Sequence, residues 1–170
     1  CLADSDWYYM VLEEGESLQA TVTFDGDVGN IDLRLIDPAI LTHDTSDGTG
    51  SVETVTVSHA ERRGRWRVHE ELEEADSLPY EMTLLHCRSD GYEVNDTQDR
   101  AAEIGPGVHH LEACAIDEDW LHILTEYNVD LAVRASYDAS ESPVLLSLYD
   151  SSMNLLASAE GVNGLTELVL

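Results

Sequence analysis

The stretch CLADSDW at 1–7 and the stretch CAIDEDW at 114–120 share one pattern, Cys-x-x-Asp-x-Asp-Trp, at a shift of 113 residues. Self-similarity at a fixed period constrains a fold strongly, because each copy must build the same supersecondary unit. The shift continues downstream. Leu18, Ala20, Val22 and Phe24 fall on Leu131, Val133, Ala135 and Tyr137, an alternating apolar set in both copies. Leu33, Leu35 and Asp37 fall on Leu146, Leu148 and Asp150, and with small loop adjustments Ser46 meets Ser158 and Glu53 meets Glu167. The chain is two copies of one module.

The copies are cut at different points. Copy two carries a leader, CRSDGYEVNDTQDRAAEIGPGVHHLEA, between Cys87 and Cys114, with no counterpart in copy one. Copy one carries RRGRWRVHEELEEADSLPYEMTLLH, with no counterpart in copy two. The expectation is a window on a longer tandem array, with module boundaries at 1–86 and 87–170 and both modules incomplete. Copy two then has unpaired sheet edges, a route to strand exchange with a neighbour.

Period-two alternation dominates, and helical periodicity is scarce. Strands are expected near 7–12, 17–24, 31–36, 52–58, 65–70 and 79–85, and again near 119–125, 129–137, 144–149, 154–157 and 165–170. EEGES, DGDVGN, DGTGS and ERRG supply turn chemistry between them. Short strands at this spacing predict an all-β fold of two tandem antiparallel, jelly-roll-like β-sandwiches. TQDRAAEI is expected as one helical turn or a short extended lead-in, DTSDGTG as a Gly-rich loop, and EELEEADSLPYE as an acidic hairpin loop.

The net charge is −27, and all eight basic residues are Arg. Such a surface repels nucleic acid and anionic lipid, and neither is expected as a partner. It fits a solvated, aggregation-resistant exterior, multivalent cation binding or adaptation to high salt. No run of 18 apolar residues exists, so no membrane insertion is expected.

Three cysteines follow the repeat. Cys1 and Cys114 are equivalent, so Cys87 is expected to pair with Cys114, leaving Cys1 without a partner in this stretch. Closing that loop stabilises by about 3–4 kcal/mol in the chain-entropy model, and implies an oxidising compartment. A lipid-anchored N-terminal Cys1 is a competing reading, but Cys114 matches Cys1 and no anchor sits mid-chain.

Catalytic signals are weak. No Gly-x-Ser-x-Gly elbow accompanies the scattered histidines, and Asp44-Thr45-Ser46-Asp47-Gly48 has the wrong order for an aspartic-protease motif. His109 and His110 are adjacent, so on a strand they face opposite ways. The expectation is that the chain is not an enzyme. The remaining constellation is oxygen-rich: Glu93, Asn95 and Asp96, then Asp117 and Asp119. Hard cations such as Ca2+ take six to eight oxygens at about 2.3–2.6 Å, and the Cys87–Cys114 bridge would hold both segments together. Asn95-Asp96-Thr97 is also a glycosylation sequon, and an Asx-turn with exposed carboxylates is the simpler alternative.

YEVNDT at 92–97, DEDWLHI at 117–123 and LLSLYD at 145–150, together with WYYMVLEEGESLQATVTF at 7–24, resemble the bacterial pre-peptidase C-terminal domain, akin to collagenase collagen-binding domains. The resemblance implies a calcium-stabilised β-sandwich appended to secreted proteins, often peptidases. The implied ligands are Glu93, Asn95, Asp96, Asp117 and Asp119, with only Asp4 and Asp6 carried over in copy one. The expected role is a non-catalytic, secreted or cell-surface accessory array binding an extracellular polymer, collagen-like or polysaccharide. The alternatives are a structural repeat of a stalk, adhesin or filament held by neighbouring repeats, and a fragment of a secreted peptidase. Trp7, Trp66 and Trp120 are equally readable as core residues or as an exposed aromatic row.

Overall fold

The computed structural model describes residues 5–73, 76–126, 129–140 and 142–169. Every regular element among them is a β-strand except one 3-10 turn, Gln98–Arg100, and all pairings with a register are antiparallel. The all-β expectation holds. No helix of the described residues is long and apolar enough to cross a membrane.

Two compact units divide at His122. The first contains β1 (Ser5–Leu12), β2 (Ser17–Phe24), β3 (Asn30–Ile36), β4 (Thr42–Ser46), β5 (Val52–Val57), β6 (Gly64–Glu73), β7 (Tyr80–Cys87) and β8 (Ala102–Ile104), while β9 (Leu121–Ile123) straddles the division. One sheet runs β1-β6-β3-β4 and a second β5-β2-β7, and β8 pairs with β9. The alternation read from sequence decides which side chains meet between the two main sheets. Ala20 and Val22 of β2, Val55 of β5, Leu33 and Leu35 of β3, and Trp66 and Val68 of β6 form one buried cluster with Leu12 and Leu18. Each fully buried aliphatic chain contributes roughly 1.5–3 kcal/mol relative to exposure. Trp66 is therefore core, whereas Trp7 is exposed.

Two buried carboxylates beside this core are hydrogen-bonded, whereas the Trp66 indole N–H inside it has no hydrogen-bond partner among the described residues. Glu53, 3% exposed, accepts hydrogen bonds from the Ser46 hydroxyl and from Gly48 N–H. Glu70 accepts one from Asp6 N–H at 3.2 Å.

The second unit contains β10 (Ala132–Ser136), β11 (Leu145–Tyr149), β12 (Leu155–Glu160) and β13 (Leu165–Val169), paired β10 with β13 and β11 with β12. Its pairing repeats that of the first at a constant shift of 113. Val22 faces Glu53 and Ala135 faces Thr166; Leu33 faces Ser46 and Leu146 faces Ala159. A register irregularity follows Leu35 in β3 and Leu148 in β11 alike. The loop adjustment expected near Ser46 and Glu53 is therefore not needed: their partners are Ala159 and Thr166. Among the described residues nothing in the second unit answers to β6 and β7. Val133, Ala135, Leu146 and Leu148 accordingly remain only half-buried, although Ala20, Val22, Leu33 and Leu35 are sealed.

Three local expectations change. Thr42–Ser46 is a strand, so only the DGTG end of DTSDGTG is loop: Asp44 Oδ2 accepts from Thr56 N–H, tying this polar edge strand to its neighbour. The sequence EELE continues β6, with Glu70 and Leu72 turned inward in alternation, rather than opening a hairpin loop. TQDRAAEI supplies both a 3-10 turn and the start of β8. The leader, expected to go with copy two at 87–170, lies within the compact unit that ends at His122.

Candidate functional site

Cys87 and Cys114 form a disulfide with a Cα–Cα distance of 6.0 Å. Cys1 and Asp4 lie outside the described residues. The bridge brackets the leader, and two backbone bonds fold it back on itself: Trp120 N–H donates to the Asn95 carbonyl and Ala102 N–H to the Trp120 carbonyl, both at 2.9 Å. YEVNDT is thereby laid beside IDEDW.

The floor beneath them comes from copy one. The β1–β2 turn is pinned by Gly15 N–H to the Ala60 carbonyl (3.0 Å) and by Ala60 N–H to the Glu16 carbonyl (2.8 Å). Gly15 has φ 87°, a left-handed value that suits glycine, and a Cβ there would stand 2.9 Å from Glu93 Cβ. Glu93 thus rests on bare backbone. The fully buried Ser17 hydroxyl is shared between the Ser58 carbonyl and Asp117 Oδ2, the latter at 3.2 Å.

Acidic oxygens converge on this floor in two sets that share Glu93. Asp90, Glu93 and Asp119 offer carboxylate oxygens within 4.8 Å of one another, and so do Glu93, Asp96 and Asp117. Asn95 is fully buried; its amide donates to Asp119 Oδ1 at 3.2 Å, and its Oδ1 has no protein partner. Glu93 Oε2, Asp96 Oδ1 and Asp117 Oδ1 are likewise buried without a hydrogen bond. Unsatisfied buried oxygens are costly, and four meet here.

The electrostatics follow. Burial, then Asp117, Asp119, Asp90 and Asp96, pushes the Glu93 carboxyl up to about 7. Burial raises Asp119 to about 6, against the Asn95 hydrogen bond and with Asp90, Asp117 and Asp96 adding repulsion. Asp117 is raised by burial and Asp96, opposed by the Ser17 hydroxyl and by His59. A divalent cation is the group that relieves all these shifts together, and an all-oxygen donor set suits a hard one.

The five leader and Asp-x-Asp residues singled out in the sequence are brought together; Asp6 is not. It sits on β1, where its carboxylate accepts from the Tyr80 hydroxyl at 3.2 Å. His109 is held structurally, between the Tyr92 hydroxyl (2.8 Å) and the Gly105 carbonyl (2.9 Å). Sequence reasoning missed Asp90, which reads as the start of an Asp-Gly turn, and missed Ser17 and His59. No pattern in the chain couples those two to a segment 100 and 58 positions away.

No family model matches the chain, and no curated protein matches it. The functional reading therefore rests on the site itself.

Proposed function

We propose that the chain is a non-catalytic, extracellular accessory module pair, stabilised by Ca2+, that attaches a larger secreted or cell-surface protein to an extracellular polymer. The observation that carries the reading is the convergence of Glu93, Asn95, Asp96, Asp117 and Asp119, with Asp90, around four buried oxygens that no protein donor satisfies. Ca2+ accepts six to eight oxygens in flexible geometry and tolerates a set drawn from turns; Mg2+ demands rigid octahedral coordination and keeps its waters. The Cys87–Cys114 bridge supports an oxidising location. The resemblance of YEVNDT, DEDWLHI and LLSLYD to the pre-peptidase C-terminal domain agrees with this role. Calorimetric titration of the EDTA-stripped chain tests the reading: it expects saturable Ca2+ binding near 10⁻⁴–10⁻³ M, the range of extracellular modules. Absence of binding at 10 mM Ca2+, about ten times the weaker limit, contradicts it.

A second reading, a repeat of a stalk or filament, is favoured by one observation: β10 and β11 lack the flanking strands that β7 and β6 provide to β2 and β3 among the described residues. Neighbouring repeats would then cover those edges. Light scattering at high concentration tests it, and a strict monomer contradicts contacts between separate chains.

A further inference from the structure

The outer face of the β1-β6-β3-β4 sheet has a character foreign to the rest of the chain. Acidic residues outnumber basic ones 35 to 8, yet this face carries Arg65, Arg67 and Arg34. Arg34 is paired with Glu71 at 3.1 Å, whereas no ion pair to Arg65 or Arg67 occurs among the described residues. Beside them on β1 stand Trp7 and Tyr9, 55% and 63% exposed. Two cross-strand contacts fix these rings. His69 stacks on Trp7 with centroids 4.1 Å apart, and the Arg65 guanidinium lies 4.4 Å from the Tyr9 ring centre. Side chains already ordered lose little freedom when a ligand arrives.

We infer that this face, centred on Trp7, Tyr9, Arg65 and Arg67, binds an acidic polysaccharide of the uronate class. The inference rests on the polymer-binding reading above and names its partner. Aromatic rings present flat apolar surface to the C–H faces of sugar rings, and a guanidinium takes a planar carboxylate through two parallel hydrogen bonds. The residues project from the face of the sheet, and Tyr9 faces Arg67 with Trp7 and Arg65 two positions to either side, so an extended sugar chain running along β1 and β6 meets all four. Asp32, Glu71 and Glu73 also face outward on this sheet; Glu71 is neutralised by Arg34, Asp32 lies two strands away from Trp7, and Glu73 stands at the far end of β6 from Arg65 and Arg67.

The overall charge of −27 gives the binding an unusual salt signature. At 0.01 M ionic strength the screening length is about 30 Å and the whole chain repels a polyanion; at 0.15 M it is about 8 Å and the local arginines dominate. Binding should therefore be stronger at 0.15 M than at 0.01 M, the reverse of simple ion exchange.

The test is calorimetric titration of the full chain with soluble oligogalacturonate in EDTA, which prevents Ca2+ from cross-linking the sugar. Neutral dextran and polyglutamate serve as comparisons. Expected are binding of the uronate alone, an affinity loss of roughly tenfold in R67Q and in W7A, and no change in the second-unit variant R134Q, which removes the same charge elsewhere. Melting curves of each variant report on folding, and R67K, which keeps charge but not the fork, should recover only part of the loss. The inference is overturned by no uronate binding at 0.15 M, by equal losses in R67Q and R134Q, by polyglutamate binding equally well, or by self-association that R67Q abolishes without any uronate binding. A chain that binds Ca2+ but no uronate overturns this inference alone; one that binds uronate but no Ca2+ overturns the calcium reading alone.

Discussion

Ile40 and Met153 hold the same left-handed backbone position, φ 66° and 63°, in two turns 113 residues apart. Around each, the same bonds recur. Asp37 N–H donates to the Leu41 carbonyl and Asp150 N–H to the Asn154 carbonyl; Leu41 N–H returns to Asp37 Oδ1 at 2.8 Å and Asn154 N–H to Asp150 Oδ1 at 2.9 Å. The aspartate, read as equivalent in both copies, specifies this turn by capping it from inside.

A left-handed non-glycine residue costs roughly 1–2 kcal/mol, and a β-branched one lies at the upper end. Ile40 is 74% exposed and gives up little burial on replacement. Ile40→Asn should therefore raise stability by about 1 kcal/mol, measured by urea unfolding. A loss of stability would mean that Ile40 makes a contact the turn geometry does not require.

Gly15 and Gly91 form a matched pair. Both have positive φ, 87° and 92°, but a Cβ at Gly15 would meet Glu93 at 2.9 Å whereas the space around Gly91 is open. Gly91→Ala should lose about 1 kcal/mol from backbone strain alone. Gly15→Ala should lose more and should also weaken cation binding, because the leader must lift away. Equal effects on unfolding and on Ca2+ titration would show that Glu93 does not rest on the turn.

Replacing Cys87 and Cys114 together by Ser opens a loop of 27 residues. The expected loss is about 3–4 kcal/mol, read from urea unfolding under non-reducing conditions. Ca2+ should recover part of it, since the ion also ties the leader down.

The carboxyl cluster gives a pH dependence of defined sign. Glu93 and Asp119 have folded-state values raised to about 7 and about 6 from 4.5 and 3.8. The folded chain thus binds more protons than the unfolded one between these limits, so the cluster's contribution is fully present below about pH 4 and is lost as pH rises through 6 to 7. In EDTA, Tm should fall between pH 5 and pH 8. In Ca2+ the trend should flatten or reverse, because the cation replaces the protons. Superimposable profiles in EDTA and Ca2+ would contradict the arrangement.

The repeat and the alternation were legible because period-two burial leaves its mark in every inward residue, from Ala20 and Val22 to Val133 and Ala135. The edge strand Thr42–Ser46 was hidden because an exposed edge needs no apolar face; THDTS is polar and runs into DGTG. Glu70 and Glu71 disguised the end of β6 as a loop, although the alternation runs on through buried Glu70 and Leu72. At the site, oxygen-rich motifs marked Glu93, Asn95, Asp96, Asp117 and Asp119. Ser17, His59 and the bare backbone of Gly15 come from tertiary approach, which leaves no local pattern. Trp7 could not be told from Trp66 by sequence, since WYYMVL is apolar or aromatic at every position and its alternation does not say which face turns inward.

The most direct measurement is thermal unfolding of the wild type and Asp96→Ala in EDTA and in 5–10 mM Ca2+, with Mg2+ alongside. At about ten times a millimolar Kd the ion adds about 1.4 kcal/mol, which raises Tm by roughly 3–6 °C for a chain of this size. The expected result is that rise for the wild type in Ca2+, a smaller one in Mg2+, and none for Asp96→Ala. Equal wild-type melting temperatures in EDTA and in Ca2+ would contradict it.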